Sequence, residues 1–222
     1  MNKQDTLEAM PIVIAATDTL LEWAPTQGRP GAILRTRAGV IKADAERLIQ
    51  FDMLGPAITD MFDQAVEAGI NLGQLENVRE RVEVFQPVTV GAIIVKDSLI
   101  QLTLVSEGVV ISRMEFDSKQ DLEELQKMIN ESFEAAENAV ADRMDAMTFQ
   151  ALIGLHAAIS LYLIETARPR PRMVSFRFNQ IMTTLTASYR LYDTAARADD
   201  IRDENRVIHP AFLRPEGRAL AF

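Results

Sequence analysis

Large apolar residues recur along most of this chain every three or four positions, the spacing that lines one face of an α-helix. The first run, residues 7–23, puts Leu7, Met10, Ile14, Thr17 and Leu21 on one face, with Thr6 as cap and Pro11 in the first turn, where proline is tolerated. The pattern lapses between Ala24 and Gly39, where two prolines, three glycines and three arginines accompany few large apolar groups. That composition predicts a loop or basic arm that orders against a neighbouring subunit. Periodicity resumes at Ala43. Leu48, Phe51 and Leu54 lead to Gly55 and Pro56, and the proline is placed to open a second helix carrying Ile58, Met61, Phe62 and Ala65. A third helix follows, with Leu72, Leu75, Val78 and Val82 behind an Asn71 cap. Residues 1–83 therefore read as a helical N-terminal region with an arm at 24–39.

Pro87 opens the next region, residues 84–167. The β-branched run from Val88 favours strands locally, and a hairpin of strands 88–95 and 99–105 is one outcome. Apolar positions at 90, 93, 94, 100, 104 and 105 keep helical spacing to Gly108, and a helix is the prediction. Asp117 and Ser118, followed by Gln120 and Asp121, mark a helix start. Leu122, Leu125, Ile129, Phe133, Ala136 and Val140 then line one face, and Glu123, Lys127, Glu131, Glu134 and Glu137 the opposite one. Residues 147–164 contain no charge at all. Their length suits a membrane span, but Thr148, Gln150, Gly154, His156 and Ser160 dilute the run and no second span accompanies it. A helix over 144–166 is expected instead to pair antiparallel with helix 117–141 and to need a further subunit to cover it.

The last region, 168–222, changes period. Ser175, Phe176, Arg177 and Phe178 alternate as a half-buried strand does. Ile181, Leu185, Ser188 and Tyr192 share one helical face, and Ala195, Ala198, Ile201 and Asn205 a second. Pro210, Pro215 and Gly217 interrupt the chain before residues 218–222, which can return beside the first strand. The whole then reads as mainly α: a helical body with a long antiparallel helix pair and a small C-terminal βααβ module.

Composition narrows the function more by exclusion. With 48 % apolar and 25 % charged residues, 222 residues fold and bury a core. There is no cysteine, which removes disulfides, thiolate catalysis and cysteine-bound zinc. No nucleotide-binding glycine loop or nucleophile elbow occurs, so no catalytic residue or cofactor site is assigned. His156 and His209 stand 53 residues apart without a second histidine near either; His156 could serve as a ligand, but a hydrogen-bonded core role is expected for it and a turn role for His209, and no metal site is assigned. Carboxylates cluster at Asp193, Asp199, Asp200, Asp203 and Glu204, but Arg197, Arg202 and Arg206 interleave with them as on an ion-paired helix face. Net charge is −9, which argues against duplex DNA as a partner of the whole surface. Arg168, Arg170 and Arg172, separated by prolines, can grip a phosphate or a partner's carboxylates, or serve as a stiff linker. The acidic N-terminus is a poor match to a secretory signal.

Leu191, Tyr192, Asp193, Ala198, Asp199, Asp200, Ile201, Asn205, Arg206, Val207, His209, Pro210, Phe212, Pro215, Glu216 and Gly217 together resemble the second half of a LysM-type module. They resemble still more the end of the Mu-like phage DNA circularisation proteins, which are baseplate components of contractile tails, and that resemblance extends over residues 84–222. The family's β-rich N-terminal domain has no counterpart in residues 1–83. The resemblance implies a non-enzymatic virion subunit, made in the host cytoplasm and present in several copies, that assembles with hub, tube and tape-measure proteins. Phe176, Phe178, Tyr189, Tyr192, Arg168, Arg170 and Arg172 are its candidate interface residues, together with the strand edges of the module. A LysM-like unit also implies peptidoglycan binding as an alternative, and the uncharged run leaves a single-span membrane protein as another.

Overall fold

The computed structural model describes residues 1–116 and 118–221. The fold is mainly helical: nine helices among the described residues make up 71 % of the chain, and a two-stranded antiparallel sheet completes it. The chain forms two compact units, one from residues 1–114 and 129–159, the other from 115–128 and 160–222.

The larger unit contains α1 (Lys3–Trp23), α2 (Gly28–Gln50), α3 (Leu54–Glu67), α4 (Leu72–Glu83) and α5 (Val90–Arg113). To these it adds the second half of α6 (Lys119–Asp142) and the first part of α7 (Ala146–Ala167). α1 packs against α2, α4 and α5, and α3 against α2 and α5. The cap of α1 is Asn2, whose side chain and that of Asp5 form a reciprocal capping box, in place of the expected Thr6. Its buried row is Ala9, Ile12, Val13, Ala16 and Leu20, and Leu7 faces solvent. Three helices crowd onto α1, so small side chains face inward where the backbones come closest; of the expected face Thr17 is buried and Met10 and Leu21 pack at the margin of the core.

The expected loop at 24–39 is helix from Gly28 onward. Ala24 is extended ahead of Pro25, and Gly28 turns the chain with φ +73°. Pro30 sits in the first turn, where its missing N–H costs nothing. Gly31 is required: a Cβ there would meet the Thr26 carbonyl carbon at 2.3 Å. The breakers are thus concentrated where α2 starts, and Leu34, Ala38 and Ile41 carry it into the core. Leu54, Gly55 and Pro56 open α3, and Asn71 caps α4 in a capping box with Gln74.

The β-branched run from Val90 is helical because α5 is the central helix, held by α1, α3 and α4 at once. Thr103 and Ser106 return their hydroxyls to carbonyls one turn back, at 2.9 Å each. Leu75, Val78 and Val82 of α4 share one core with Ala92, Val95 and Leu99 of α5, so the chain on either side of residue 83 belongs to the same unit. Glu8 of α1 fixes the start of α5 by accepting from the N–H groups of Val88 (2.6 Å) and Thr89 (2.7 Å).

In the smaller unit, β1 (Arg172–Arg177) pairs antiparallel with β2 (Glu216–Ala221), Phe176 opposite Gly217. Between them lie α8 (Thr184–Tyr192) and α9 (Ala198–Glu204). β1 starts three residues earlier than the alternation suggested, Ile181 precedes α8, and Ala195 precedes α9. The expected Asp117 helix cap and Phe222 strand end lie outside the described residues; Ser118 caps Asp121 at 3.2 Å. Phe176, Met182, Ala187, Ile201, Leu213 and Ala219 form the core of the module.

Candidate interaction surfaces

α7 buries one side within the chain and leaves the other open. In the larger unit it turns back along α6 through residues 143–145, where Met144 adopts φ 59° and Arg143 pairs with Asp97 of α5 at 2.5 Å. His156 then bridges Glu137 and Asn130 of α6, at 2.9 Å each, with its ring stacked on Phe133 at 4.9 Å. It is a half-buried, hydrogen-bonded histidine. Leu152, Ile159 and Leu163 are buried on the inward side, and Gly108 of α5 leaves just enough room for Ile159. The other side is apolar and open: Met147, Ile153, Leu161 and Ile164 are exposed, and so are Ala151, Gly154, Ala157 and Ala158 between them. Among the described residues this is the one helix long and apolar enough to cross a membrane, with 17 % of its apolar stretch buried. Alternating large and small apolar groups with no charge form a surface that water covers poorly.

α6 runs beside it and carries Glu131 and Glu134 on its exposed face, one turn from the residues that touch His156. A bilayer surrounding α7 would have to take those carboxylates to the same depth, which is costly. A protein surface meets the apolar stripe without that penalty.

The interface residues expected in the module separate into three groups. Phe176 is buried at 8 % exposure and belongs to the core, packed within 4.9 Å of the Phe178 ring, which is itself partly buried. Tyr192 is half-buried, with the Arg197 guanidinium 4.4 Å over its ring. Tyr189 is exposed, and so are Arg168, Arg170 and Arg172. The alternation of strand β1 marked Phe176 as inward-facing, which the aromatic count alone obscured.

One residue on the outer edge of each strand is already satisfied within the chain. On the outer edge of β1, the Gln120 side chain accepts from the Met173 N–H (2.6 Å) and donates to its carbonyl (3.2 Å). On the outer edge of β2, Asn205 accepts from the Arg218 N–H and donates to its carbonyl, both at 2.8 Å, while also donating to Ile201. Each amide side chain mimics a further strand, so neither edge offers its hydrogen bonds there. Gly217 beside it admits no Cβ, which would stand 2.3 Å from the Asn205 oxygen and 2.6 Å from Phe176. The acidic cluster is matched internally: Arg197 pairs with Asp200 (2.9 Å), and Arg202 with Asp199 (2.8 Å) and Asp203 (3.0 Å). Among the described residues no group of three or more histidines and carboxylates is placed to hold a metal ion. His209 accepts from the Ala211 N–H at 3.2 Å and tilts against Phe212.

One buried charge lies elsewhere. Glu107 of α5, 2 % exposed, faces Arg79 of α4 at 3.6 Å, with Glu76 and Glu83 on the other sides of the same guanidinium. Burial pushes its carboxyl up to about 7 against the pull of Arg79. No family model matches the chain, and no curated protein matches it.

Proposed function

We propose that this chain is a structural subunit of a contractile phage tail, at or near the baseplate hub, and that it works by protein–protein assembly. The open apolar face of α7 is the observation that carries the assembly reading: a charge-free helical surface of this length is stable in water when another protein covers it. The phage assignment draws on the resemblance of residues 84–222. Asn205, Ile201 and Gly217, three of the residues that make up that resemblance, hold β2 in place, which is consistent with a shared module. Co-expression with tube, hub and tape-measure proteins tests the reading. The expected result is a stable co-purifying complex that Leu161→Glu with Ile153→Glu disrupts while leaving the chain folded. A chain that co-purifies with none of them would remove the proposal.

A second reading is favoured by the order β1, α8, α9, β2 with its two antiparallel strands, which is that of a LysM-type module. A LysM-like unit of this kind would bind peptidoglycan. Retention on insoluble peptidoglycan at a level above a charge-matched control supports it, and passage through unretained eliminates it.

A further inference from the structure

Charge is divided unevenly along this chain. Residues 168–222 carry ten arginines, no lysine and six carboxylates, a net +4, whereas residues 1–167 carry 13 basic and 26 acidic side chains, a net −13. Each part also carries an exposed apolar patch bordered by its own sign of charge.

On the basic part, Leu185 and Tyr189 lie one turn apart on the outward side of α8 and Ile181 just ahead of it, each about 60 % exposed. Phe212 joins them from the adjoining loop, which the Thr184 N–H ties down at the Pro210 carbonyl (2.8 Å) and the Met182–Leu213 bridge fastens to the start of α8. The ion pairs of this module use Arg177, Arg197 and Arg202. Arg190, next to Tyr189, and Arg214, two residues after Phe212, have no carboxylate partner among the described residues. On the acidic part, Trp23 is the single tryptophan of the chain and is 44 % exposed. With Val84 it lines a groove of about 530 Å³ between α1 and α4, bordered by Asp18, Glu22 and Glu80 against one basic neighbour, Arg81. Lys42 offsets Asp18 at 2.5 Å and leaves Glu22 and Glu80 as the exposed acids.

We infer that the α8 patch of one copy docks into the α1–α4 groove of a second copy. Charge selects this pairing. A symmetric contact through the α8 patch would set Arg190 and Arg214 against their own copies, and one through the groove would set Glu22 and Glu80 against theirs, whereas the unlike patches bring arginine to carboxylate. Both have the composition of an interface centre, Tyr, Phe and Leu on one side and Trp and Val on the other, with arginine facing carboxylate at the rim. The contact is heterologous and generates a ring or an open row of copies. It rests on the assembly reading but uses a surface other than α7.

Trp23 reports the contact directly. The intact chain is titrated in concentration at low salt while its tryptophan emission and its mass by light scattering are followed. The expected result is a blue shift that tracks mass growth and is reversed by about 0.5 M salt, at which screening is nearly complete beyond a few ångströms. Leu185→Asp with Tyr189→Asp abolishes both signals. Arg190→Glu weakens association about tenfold, and adding Glu80→Arg restores it, a rescue that misfolding cannot imitate. A chain that stays monomeric with unchanged emission, yet still co-purifies with tail proteins, overturns this inference and leaves the assembly reading standing. Association that survives the α8 substitutions but is lost with Leu161→Glu also overturns it. So does a monomer whose basic module instead retards a duplex oligonucleotide.

Discussion

Asn205 replaces a missing strand with one side chain. Its amide satisfies both backbone groups of Arg218, and Gly217 leaves the space that the amide occupies. Asn205→Ala leaves that N–H and C=O without a protein partner, and the expected loss is about 2 kcal/mol. Gly217→Ala should cost at least as much, because the added carbon meets the amide oxygen and a core phenylalanine. Chemical denaturation followed by near-ultraviolet circular dichroism measures both. Neither role was legible in the sequence: Asn205 was read on a helical face and in a resemblance, and its partner lies 13 residues away across a turn. Glu107 was equally hidden, since a lone acid in an apolar run shows no sign of the arginine on another helix that draws it inward. A carboxyl whose folded value lies above its unfolded one holds its proton more tightly in the native state. The stability it contributes is complete below about 4.5 and is lost as pH rises through about 7. The loss amounts to about 3 kcal/mol. Wild type minus Glu107→Gln, melted at successive pH values, should isolate that slope. Glu8 acts with the opposite sign: the Thr89 hydroxyl and the Val88 and Thr89 amides hold its carboxyl below the usual range. The stability it gives is present at neutral pH and is lost as pH falls through that lowered value.

Element by element, periodicity was the reliable signal and punctuation the misleading one. Helices α3, α4 and α6 fall where apolar spacing placed them, within a few residues, because each presents a single buried face, and α7 falls where the charge-free run placed it. α2 was missed at its start because prolines and glycines read as a loop, although there they shape a helix entry whose need for Gly31 depends on contact with the preceding turn. α5 was ambiguous because a helix enclosed on several sides has no polar face to set its period. α7 shows the reverse: it is as apolar as α5, yet its outward side is open. Within it Gly154 has nothing near the position a Cβ would take. Gly154→Ala should therefore raise the melting temperature, corresponding to about 1 kcal/mol of helix propensity, with no effect on the fold. If the same change weakens a tail complex, the glycine is there for the approach of another backbone.

For the whole molecule, the fold class was legible and the division into units was not. Composition and spacing indicate helices; they do not indicate that residues 115–128 join 160–222 to make one unit. That unit depends on both segments. Pro171 accepts from the Lys119 N–H at 3.0 Å, Met173 is held by Gln120, and Phe116, Leu122 and Leu125 are buried in the first segment. A fragment of residues 168–222 alone should therefore lack a cooperative melting transition, whereas the intact chain shows one, and calorimetry of both distinguishes the cases. The candidate interface divided in the same way. Exposed arginines could be named from sequence, but which aromatics were surface and which were core depended on the strand's inward face and on the loop that brings Phe212 to α8.

The interleaving of segments also constrains how the protein is born. A ribosome releases residues 115–128 well before residues 160–222 exist, so Leu122 and Leu125 must wait uncovered in the nascent chain while the helical region ahead of them is already able to fold. The carboxylates along the other side of that waiting segment, Glu123 and Glu124 among them, keep it soluble in the interval. The module forms last, when Gln120 finally meets its strand.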